Sequence, residues 1–220
     1  GVQEFFASSR VCFEATVGAG LPVINTLRYL VDTGDEITRI EGALSGTLGY
    51  LCSRLEDGDL FSLAVGTARS KGYTEPDPRD DLSGMDVARK ALILSRLAGW
   101  PVELEQIQVE PLYPAEMASL SVDEFMAQLP RLDSDFTARM GALTGVPRYL
   151  AEISPRGSVV ALRMVGERQA AQLRGTQNQV SFSTRRYDEH PLTLMGPGAG
   201  IEVTAAAVLQ DCVQLARSCG

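Results

Sequence analysis

The amino-acid sequence predicts an α+β fold in which helices cover a mixed β-sheet. In the first half of the chain strand-like runs alternate with amphipathic helices, whereas in the second half such runs follow one another as hairpins. The chain has 220 residues, of which 45% are hydrophobic and 22% charged. This length and composition are typical of a globular domain with one large core, so disorder is not expected over most of it.

Three elements are expected before residue 44. Residues 1–10 show no capping or strand pattern, which suggests that the chain begins inside a longer protein, and residues 11–17 form a β-rich run. A glycine-rich turn with Pro22 near the first helical position then leads into a helix that Gly34 ends. Residues 37–44 form a strand. The apolar face of the helix contains Val23, Leu27, Leu30 and Val31.

Three further helices are expected between residues 45 and 98. The first carries Leu48, Leu51 and Leu55 and ends at Gly58. The others cover about residues 61–71, ended by Gly72, and about residues 85–98. The stretch between these two helices contains two prolines two residues apart and has no apolar periodicity, so it is predicted to be a loop.

The second half of the chain is expected to contain mostly strands. Ser121 and Glu124 have the spacing of a capping box. A hairpin is predicted over residues 148–163, with its turn at Pro155-Arg156-Gly157. The remaining predictions are strands at residues 180–184 and 191–195, a glycine-rich segment at 196–200 and a last helix at about 203–217.

Composition excludes several classes of function. The net charge is −8 and no Lys/Arg cluster occurs, so a nucleic-acid partner is not expected. No apolar run reaches the roughly 18 residues that a membrane helix needs. The four cysteines form no CxxC pair, and the one histidine, His190, is expected to be structural, so a zinc site is not supported. A reducing cytoplasm is the expected location.

The predicted loop and the helix after it contain the residues best suited to chemistry. Four acids crowd the loop, and Asp86 and Lys90 lie four residues apart, hence on one helix face. Taken alone, this spacing favours an ordinary surface ion pair. The acids are difficult to explain as core packing, and loops between rigid elements often carry function. The four acids are Glu75, Asp77, Asp80 and Asp81.

Four segments of the chain resemble the homoserine dehydrogenase family. Residues 72–90, from Gly-Tyr-Thr-Glu-Pro-Asp-Pro-Arg-Asp-Asp to Lys90, resemble its long signature. Residues 14–22, 41–48 and 196–205 resemble its Glu-Ala-Thr-Val-Gly-Ala-Gly-Leu-Pro, Glu-Gly-x-x-Ser-Gly-Thr-Leu and Gly-x-Gly-Ala-Gly-x-x-Val-Thr-Ala segments. The four segments occur along the chain in the same order as in the family. Pro-Ala-Glu-Met at 114–117 is similar to the branch fused to an aspartokinase.

The resemblance implies an enzyme that interconverts L-homoserine and L-aspartate 4-semialdehyde with NADP or NAD, in threonine and methionine biosynthesis. It implies that Lys90 transfers the hydroxyl proton, with Asp86 beside it at the catalytic centre. Glu75 and Asp86 match acids that bind the substrate ammonium, and Asp81 helps to shape that pocket. Thr47 matches a position near the substrate, and it has an equally good reading as a helix cap.

The resemblance also implies a site for a monovalent cation such as Na⁺. It assigns this site to Glu14, Val17, Ala19 and Leu21. One carboxylate and the backbone carbonyls of a glycine-rich turn would provide the hard oxygen ligands that such an ion prefers. The alternative is a plain turn, in which the glycines serve the backbone angles.

The resemblance divides the chain into two parts. Residues 1–195 are expected to form a catalytic and dimerisation domain, similar to the C-terminal domain of glyceraldehyde-3-phosphate dehydrogenase-like enzymes. Residues 196–220 would pack on a nucleotide-binding domain, with Gly200 in contact with NADP. A homodimer is implied.

The main departure from the family is that no strand with a Gly-x-Gly-x-x-Gly turn precedes Glu14, so the chain alone is expected to be poorly active. Two other readings remain open. One is a non-catalytic dimerisation or amino-acid-binding module, and the other is a dehydrogenase for a different semialdehyde. An anionic substrate would favour arginines over Glu75 and Asp86, which argues against the second.

Overall fold

A computed structural model describes residues 11–142, 144–166 and 169–219 of the chain. Its centre is one six-stranded sheet with the order β2-β4-β3-β1-β5-β6. Neighbouring strands are antiparallel except for the parallel pair of β2 and β4, so the sheet is mixed, as predicted. The strands are β1 Ile37–Ala43, β2 Ile107–Val109, β3 Val146–Ser154, β4 Gly157–Val165, β5 Gln177–Thr184 and β6 Leu192–Pro197.

Helices flank this sheet and connect its strands. They are α1 Val23–Asp32, α2 Gly46–Glu56, α3 Phe61–Ser70, α4 Pro78–Leu82, α5 Met85–Leu97, α6 Val122–Gln128, α7 Asp133–Ala142 and α8 Ile201–Cys219. Among the described residues, no helix combines the length and the apolar character needed to cross a membrane.

One face of the sheet forms the main core against helices α1, α2, α3 and α5. Side chains alternate between the two faces of a strand, and the register places Ile40 opposite Ile153 and Phe182, all buried on the covered face. The opposite face carries the intervening polar residues. There Arg39 is paired with Glu41 at 2.7 Å and with Glu152 at 2.6 Å.

Most of the predicted helix and strand signals are confirmed. The Ser121 and Glu124 side chains form the expected capping box at the start of α6. Gly34, Gly58 and Gly72 follow α1, α2 and α3 with positive φ angles, which glycine adopts without strain. The sequence did not predict β2 or α7. The first is too short for a periodic pattern, and the second has a weak amphipathic pattern.

The prediction of a strand over residues 11–17 is wrong. Glu14–Thr16 form a 3₁₀ turn, and none of the described residues before β1 belongs to the sheet. The Glu14 side chain explains the difference, because its carboxylate points inward and accepts the backbone N–H groups of Ile24 and Asn25 at the start of α1. A residue that caps a helix from ten positions upstream leaves no pattern in the neighbouring sequence from which this role could be predicted.

The prediction of a continuous loop over residues 72–85 is wrong at its centre. Pro78–Leu82 form the short helix α4. Proline is tolerated in the first turn of a helix, where its missing N–H would have no intrahelical partner. The Asp77 side chain caps this turn by accepting the Arg79 N–H at 3.0 Å. Two closely spaced prolines therefore exclude a helix that spans both, while a helix that begins at the second is allowed.

Candidate active site

Helix α5 carries Lys90, and its N-cap residue is Gly84, which has a φ of 72°. A Cβ atom at position 84 would overlap the hydroxyl of Tyr149 on strand β3. That hydroxyl donates to the Glu110 carbonyl at 2.8 Å. The start of α5 is therefore held tightly against the sheet, and this places Lys90 one and a half turns further along the helix.

The Lys90 ammonium has two partners. It lies 2.7 Å from the Asp86 carboxylate and donates to the Leu44 carbonyl at 2.8 Å. The side chain of Lys90 is 21% exposed, whereas that of Asp86 is 59% exposed. An ammonium has three N–H bonds. Since two are used among the described residues, the third can be directed at a ligand.

A cavity of about 760 Å³ lies beside Lys90. One wall is the segment from Gly198 to Gly200 and the first turns of α8, and the other is the turn that contains Gly18 and Ala19. Among the described residues of this lining Lys90 is the one that carries a charge, and the others are apolar, glycine and threonine residues. A single amine in an apolar cavity can make a directed contact with a polar ligand. We call this cavity the lysine cavity.

A second group of predicted residues lies where β1 ends and α2 begins. The hydroxyl of Thr47 donates to the Tyr73 carbonyl at 2.5 Å. The Glu75 N–H donates to the Asp81 carboxylate at 2.8 Å. Ser45, and not Thr47, caps α2, since the Ser45 oxygen accepts the Leu48 N–H. We refer to Thr47, Glu75 and Asp81 as the acidic pocket.

Burial raises the pKa of Asp81. The hydrogen bond from the Glu75 N–H and the nearby Thr47 hydroxyl oppose this shift, while the negative charges of Glu75 and Asp80 add to it. A cationic group bound next to Asp81 would favour its ionised form. The acidic pocket is therefore suited to an ammonium group.

The structure connects the lysine cavity with the acidic pocket through the backbone. Leu44, whose carbonyl holds Lys90, immediately precedes the turn that leads to Thr47. Glu75 is exposed and, like Asp81 and Asp86, does not line the lysine cavity. Two of the residues assigned to cofactor and cation binding, Gly200 and Ala19, do line it.

The residues predicted to bind a cation form one turn. Glu14 is 2% exposed, and its carboxylate oxygens accept from Ile24 N at 2.7 Å and from Asn25 N at 2.9 Å. Burial raises the pKa of Glu14, although these two hydrogen bonds oppose the shift. Ala19 has a φ of 56°, an unusual angle for a residue with a side chain. The Leu21 carbonyl accepts the Val23 N–H at 2.8 Å, and Val17 is fully buried.

Two contacts near the cavity could not be inferred from the sequence. The Leu44 carbonyl that holds Lys90 is a backbone group and carries no residue signal. Asp211 on α8 accepts the Glu14 N–H at 2.9 Å, across a separation of 197 residues.

His190 was expected to be structural. It is exposed and lines a groove on the open face of the sheet, away from the lysine cavity.

Comparison with known proteins places these features in a family context. The family model described as homoserine dehydrogenase matches residues 22–213. A bifunctional aspartokinase/homoserine dehydrogenase of Zea mays is 49% identical over 94% of this chain and 23% of its own length. A homoserine dehydrogenase of Emericella nidulans is 44% identical over 97% of this chain and 64% of its own length.

A similar fold has been solved with a cofactor. A hyperthermophilic archaeal homoserine dehydrogenase mutant in complex with NADPH superposes with a TM-score of 0.69 at 26% identity, over 94% of this chain and 55% of that chain. In each comparison the chain spans less than two thirds of the protein it matches.

Proposed function

Since this chain belongs to the homoserine dehydrogenase family of oxidoreductases, we propose that the protein containing it interconverts L-homoserine and L-aspartate 4-semialdehyde with a nicotinamide cofactor. This reaction would serve threonine and methionine biosynthesis. The observation that carries the proposal is the position of Lys90. Its ammonium lies between the segment Gly198–Gly200, which we call the glycine wall of the lysine cavity, and the turn that leads to the acidic pocket.

Lys90 is assigned the proton transfer. In the direction of reduction, its third N–H would donate a proton to the substrate oxygen, and in oxidation the amine would take that proton back. Asp86 and the Leu44 carbonyl hold the nitrogen in place from two directions. This fixed position favours the reaction because a proton donor must lie within hydrogen-bond reach of the reacting atom.

The acids are assigned to the substrate ammonium. Glu75 and Asp86 provide exposed carboxylates, and Asp81 provides a partly buried one. A cationic amino group would neutralise this concentration of negative charge and would lower the raised pKa of Asp81. Thr47 is assigned a supporting role, since its hydroxyl holds the backbone of residue 73 next to Glu75.

The lysine cavity fits the nicotinamide end of NADP. When bound, such a cofactor supplies the site that gives or accepts the hydride. Gly198 leaves no room for a side chain, because a Cβ there would overlap the Thr176 carbonyl and the Asn178 side chain. In this wall Gly198 and Gly200 present backbone without side chains, which a flat ring can approach closely. Gly200, with a φ of 148°, is assigned the cofactor contact next to the start of α8.

The proposed function is tested with the complete protein. Adding aspartate semialdehyde to the protein and NADPH should cause a loss of NADPH absorbance that depends on both compounds. If the NADPH absorbance does not fall even at high protein concentration, the alternative of a non-catalytic amino-acid-binding module would be favoured. Activity with a different semialdehyde and none with this one would favour the other alternative.

Homoserine is expected to raise the melting temperature of the protein. A ligand at 100 times its Kd stabilises the folded state by about 2.7 kcal/mol, which for a domain of this size corresponds to roughly 5–10 °C. The double variant Glu75→Ala/Asp86→Ala should abolish the shift. The matched control is Glu105→Ala/Glu116→Ala, which removes two exposed acids elsewhere and should retain it. A full shift in the first double variant would refute the role of these acids.

We also propose that Glu14 and the carbonyl groups of Val17, Ala19 and Leu21 hold a monovalent cation such as Na⁺. The donor set fits, because a buried carboxylate and carbonyl oxygens are hard ligands. A cation would also offset the cost of an ionised carboxylate that is only 2% exposed. The ion would be structural, since it would stabilise the turn that forms one wall of the lysine cavity.

The cation site predicts a pH-dependent effect of sodium. Burial raises the pKa of Glu14, so the stability it contributes is present below the ordinary glutamate pKa of about 4.3 and is lost as the pH rises through the raised value. Sodium chloride should therefore raise the melting temperature at neutral pH and have little effect at pH 4. Choline chloride at equal ionic strength should have no such effect. An equal response to sodium in Glu14→Gln would contradict the site.

Further proposals concern assembly and location. We propose a homodimer formed through the open face of the sheet. The bifunctional relatives support an aspartokinase fused to the same protein. Residues 196–220 are proposed to pack on a nucleotide-binding domain. The cytoplasmic location stays a prediction.

A further inference from the structure

A short stretch of the chain, residues 174–178, lies between the start of helix α2, which carries Thr47 of the acidic pocket, and the segment Gly198–Gly200 of the lysine cavity. We call it the spacer segment. On one side it follows helix α2, where a Cβ at Gly46 would lie 3.4 Å from the Thr176 side chain and a Cβ at Gly49 would lie 3.0 Å from the Gly175 carbonyl oxygen. Two glycines one turn apart thus let the helix and the spacer segment approach each other closely.

The other side of the spacer segment supports the glycine wall of the lysine cavity. The Gly198 N–H donates to the Thr176 carbonyl at 3.1 Å. Asn178 packs against Gly198 and is only 1% exposed. A single stretch of chain, with a turn at Gly175 and Thr176, therefore separates the start of α2 from the segment Gly198–Gly200.

An ion-pair network that is buried at Arg148 and exposed at Arg174 holds the first residue of the spacer segment. Glu56, the last residue of α2, lies 2.8 Å from Arg148 Nη1 and 2.6 Å from Arg174 Nη2. Arg148 is 2% exposed on strand β3. Ser53 on α2 also accepts the Gly175 N–H at 2.9 Å. The remaining donors of Arg148 bind the carbonyl groups of Pro147, Ala170, Ala171 and Leu173.

Arg148 is the buried centre of this network. A buried guanidinium is expensive to desolvate and is retained only when its donors are satisfied, as they are here. Its geometric consequence is rigidity, because Arg148 fixes the chain before the spacer segment while Glu56 fixes Arg174 to α2. Hydride transfer depends on the separation of donor and acceptor, and a misplacement of about 1 Å can reduce the rate on the order of 100-fold.

We propose that Glu56, Arg148 and Arg174 are positioning residues that set the distance between the substrate at the acidic pocket and the nicotinamide at the glycine wall. They act through the spacer segment, without touching either ligand. The inference rests on the proposed function, since it presupposes that substrate and cofactor occupy these two places.

The test uses Glu56→Gln and Arg174→Gln in the complete protein. Arg174 is 59% exposed, so its variant is expected to fold even where Glu56→Gln is unstable. The control is Arg54→Gln, which removes a charge from the same helix in a pair with Asp57 and Asp59 that does not touch the spacer segment. Both test variants should reduce kcat about tenfold. This is less than the loss of about 100-fold that a displacement of about 1 Å can cause.

Two readouts separate positioning from a purely structural role. When hydride transfer is slowed relative to binding and release, the isotope effect measured with NADPH deuterated at the transferred position should increase. The control should match the wild type in both kcat and isotope effect. A lower melting temperature with unchanged kcat and isotope effect would overturn the inference. An inactive wild-type protein would instead overturn the proposed function and this inference together.

Discussion

Lys90→Ala is expected to reduce kcat by about 10²–10⁴-fold in the complete protein, the range that a positioned proton donor contributes. Of the described residues that line the lysine cavity, Lys90 alone has a charged side chain, and its third N–H is free to donate a proton to a ligand. Folding should be little affected, because its partner Asp86 is 59% exposed and remains solvated without it.

The measurement is steady-state kinetics in both directions, together with the melting temperature of each variant. Arg89→Ala is the matched control, since Arg89 precedes Lys90 on the same helix and is exposed. It should retain normal turnover. If Lys90→Ala also retained normal turnover, the assignment of proton transfer would be wrong, whatever the family resemblance suggests. If it lost activity together with its folded structure, Lys90→Met, which keeps the length of the side chain, would separate the two effects.

Gly84→Ala is expected to destabilise the protein by about 2–5 kcal/mol. Of this, about 1–2 kcal/mol comes from a left-handed backbone in a residue with a Cβ, and about 1–3 kcal/mol from overlap with the Tyr149 hydroxyl. For a domain of this size the melting temperature should fall by roughly 4–20 °C. The residual folded protein should also be less active, since the start of α5 positions Lys90.

Gly34→Ala is the control for Gly84→Ala. The two glycines have φ angles of 71° and 72°, and a Cβ at Gly34 meets nothing within 4 Å. This variant should show the backbone contribution alone. The double variant Gly84→Ala/Tyr149→Phe should recover part of the stability, because it removes the overlapping oxygen. Equal destabilisation by Gly84→Ala and Gly34→Ala would show that the contact with Tyr149 is not important.

Much of the fold could be predicted because its signals are local. The capping box at Ser121, the positive-φ glycines after α1, α2 and α3, and the hairpin turn at residues 155–157 each depend on neighbours within about four residues. The ion pair of Asp86 and Lys90 is of the same kind, since helical spacing alone brings the two side chains together. Errors occurred where a distant partner decided the conformation, as at Glu14.

By itself, the sequence determined most of the helices and strands, the acid-rich segment and the lysine one turn beyond an aspartate, because backbone preferences and i,i+4 contacts need no long-range information. Only the tertiary structure decided which groups surround that lysine. The Leu44 carbonyl lies 46 positions before it in the chain, and the Gly198 wall more than a hundred positions after it. The same is true of Arg148 and Glu56, which meet across 92 positions. Such contacts are set by how the helices and connecting segments pack on the assembled sheet, and this packing depends on the register of all its strands at once.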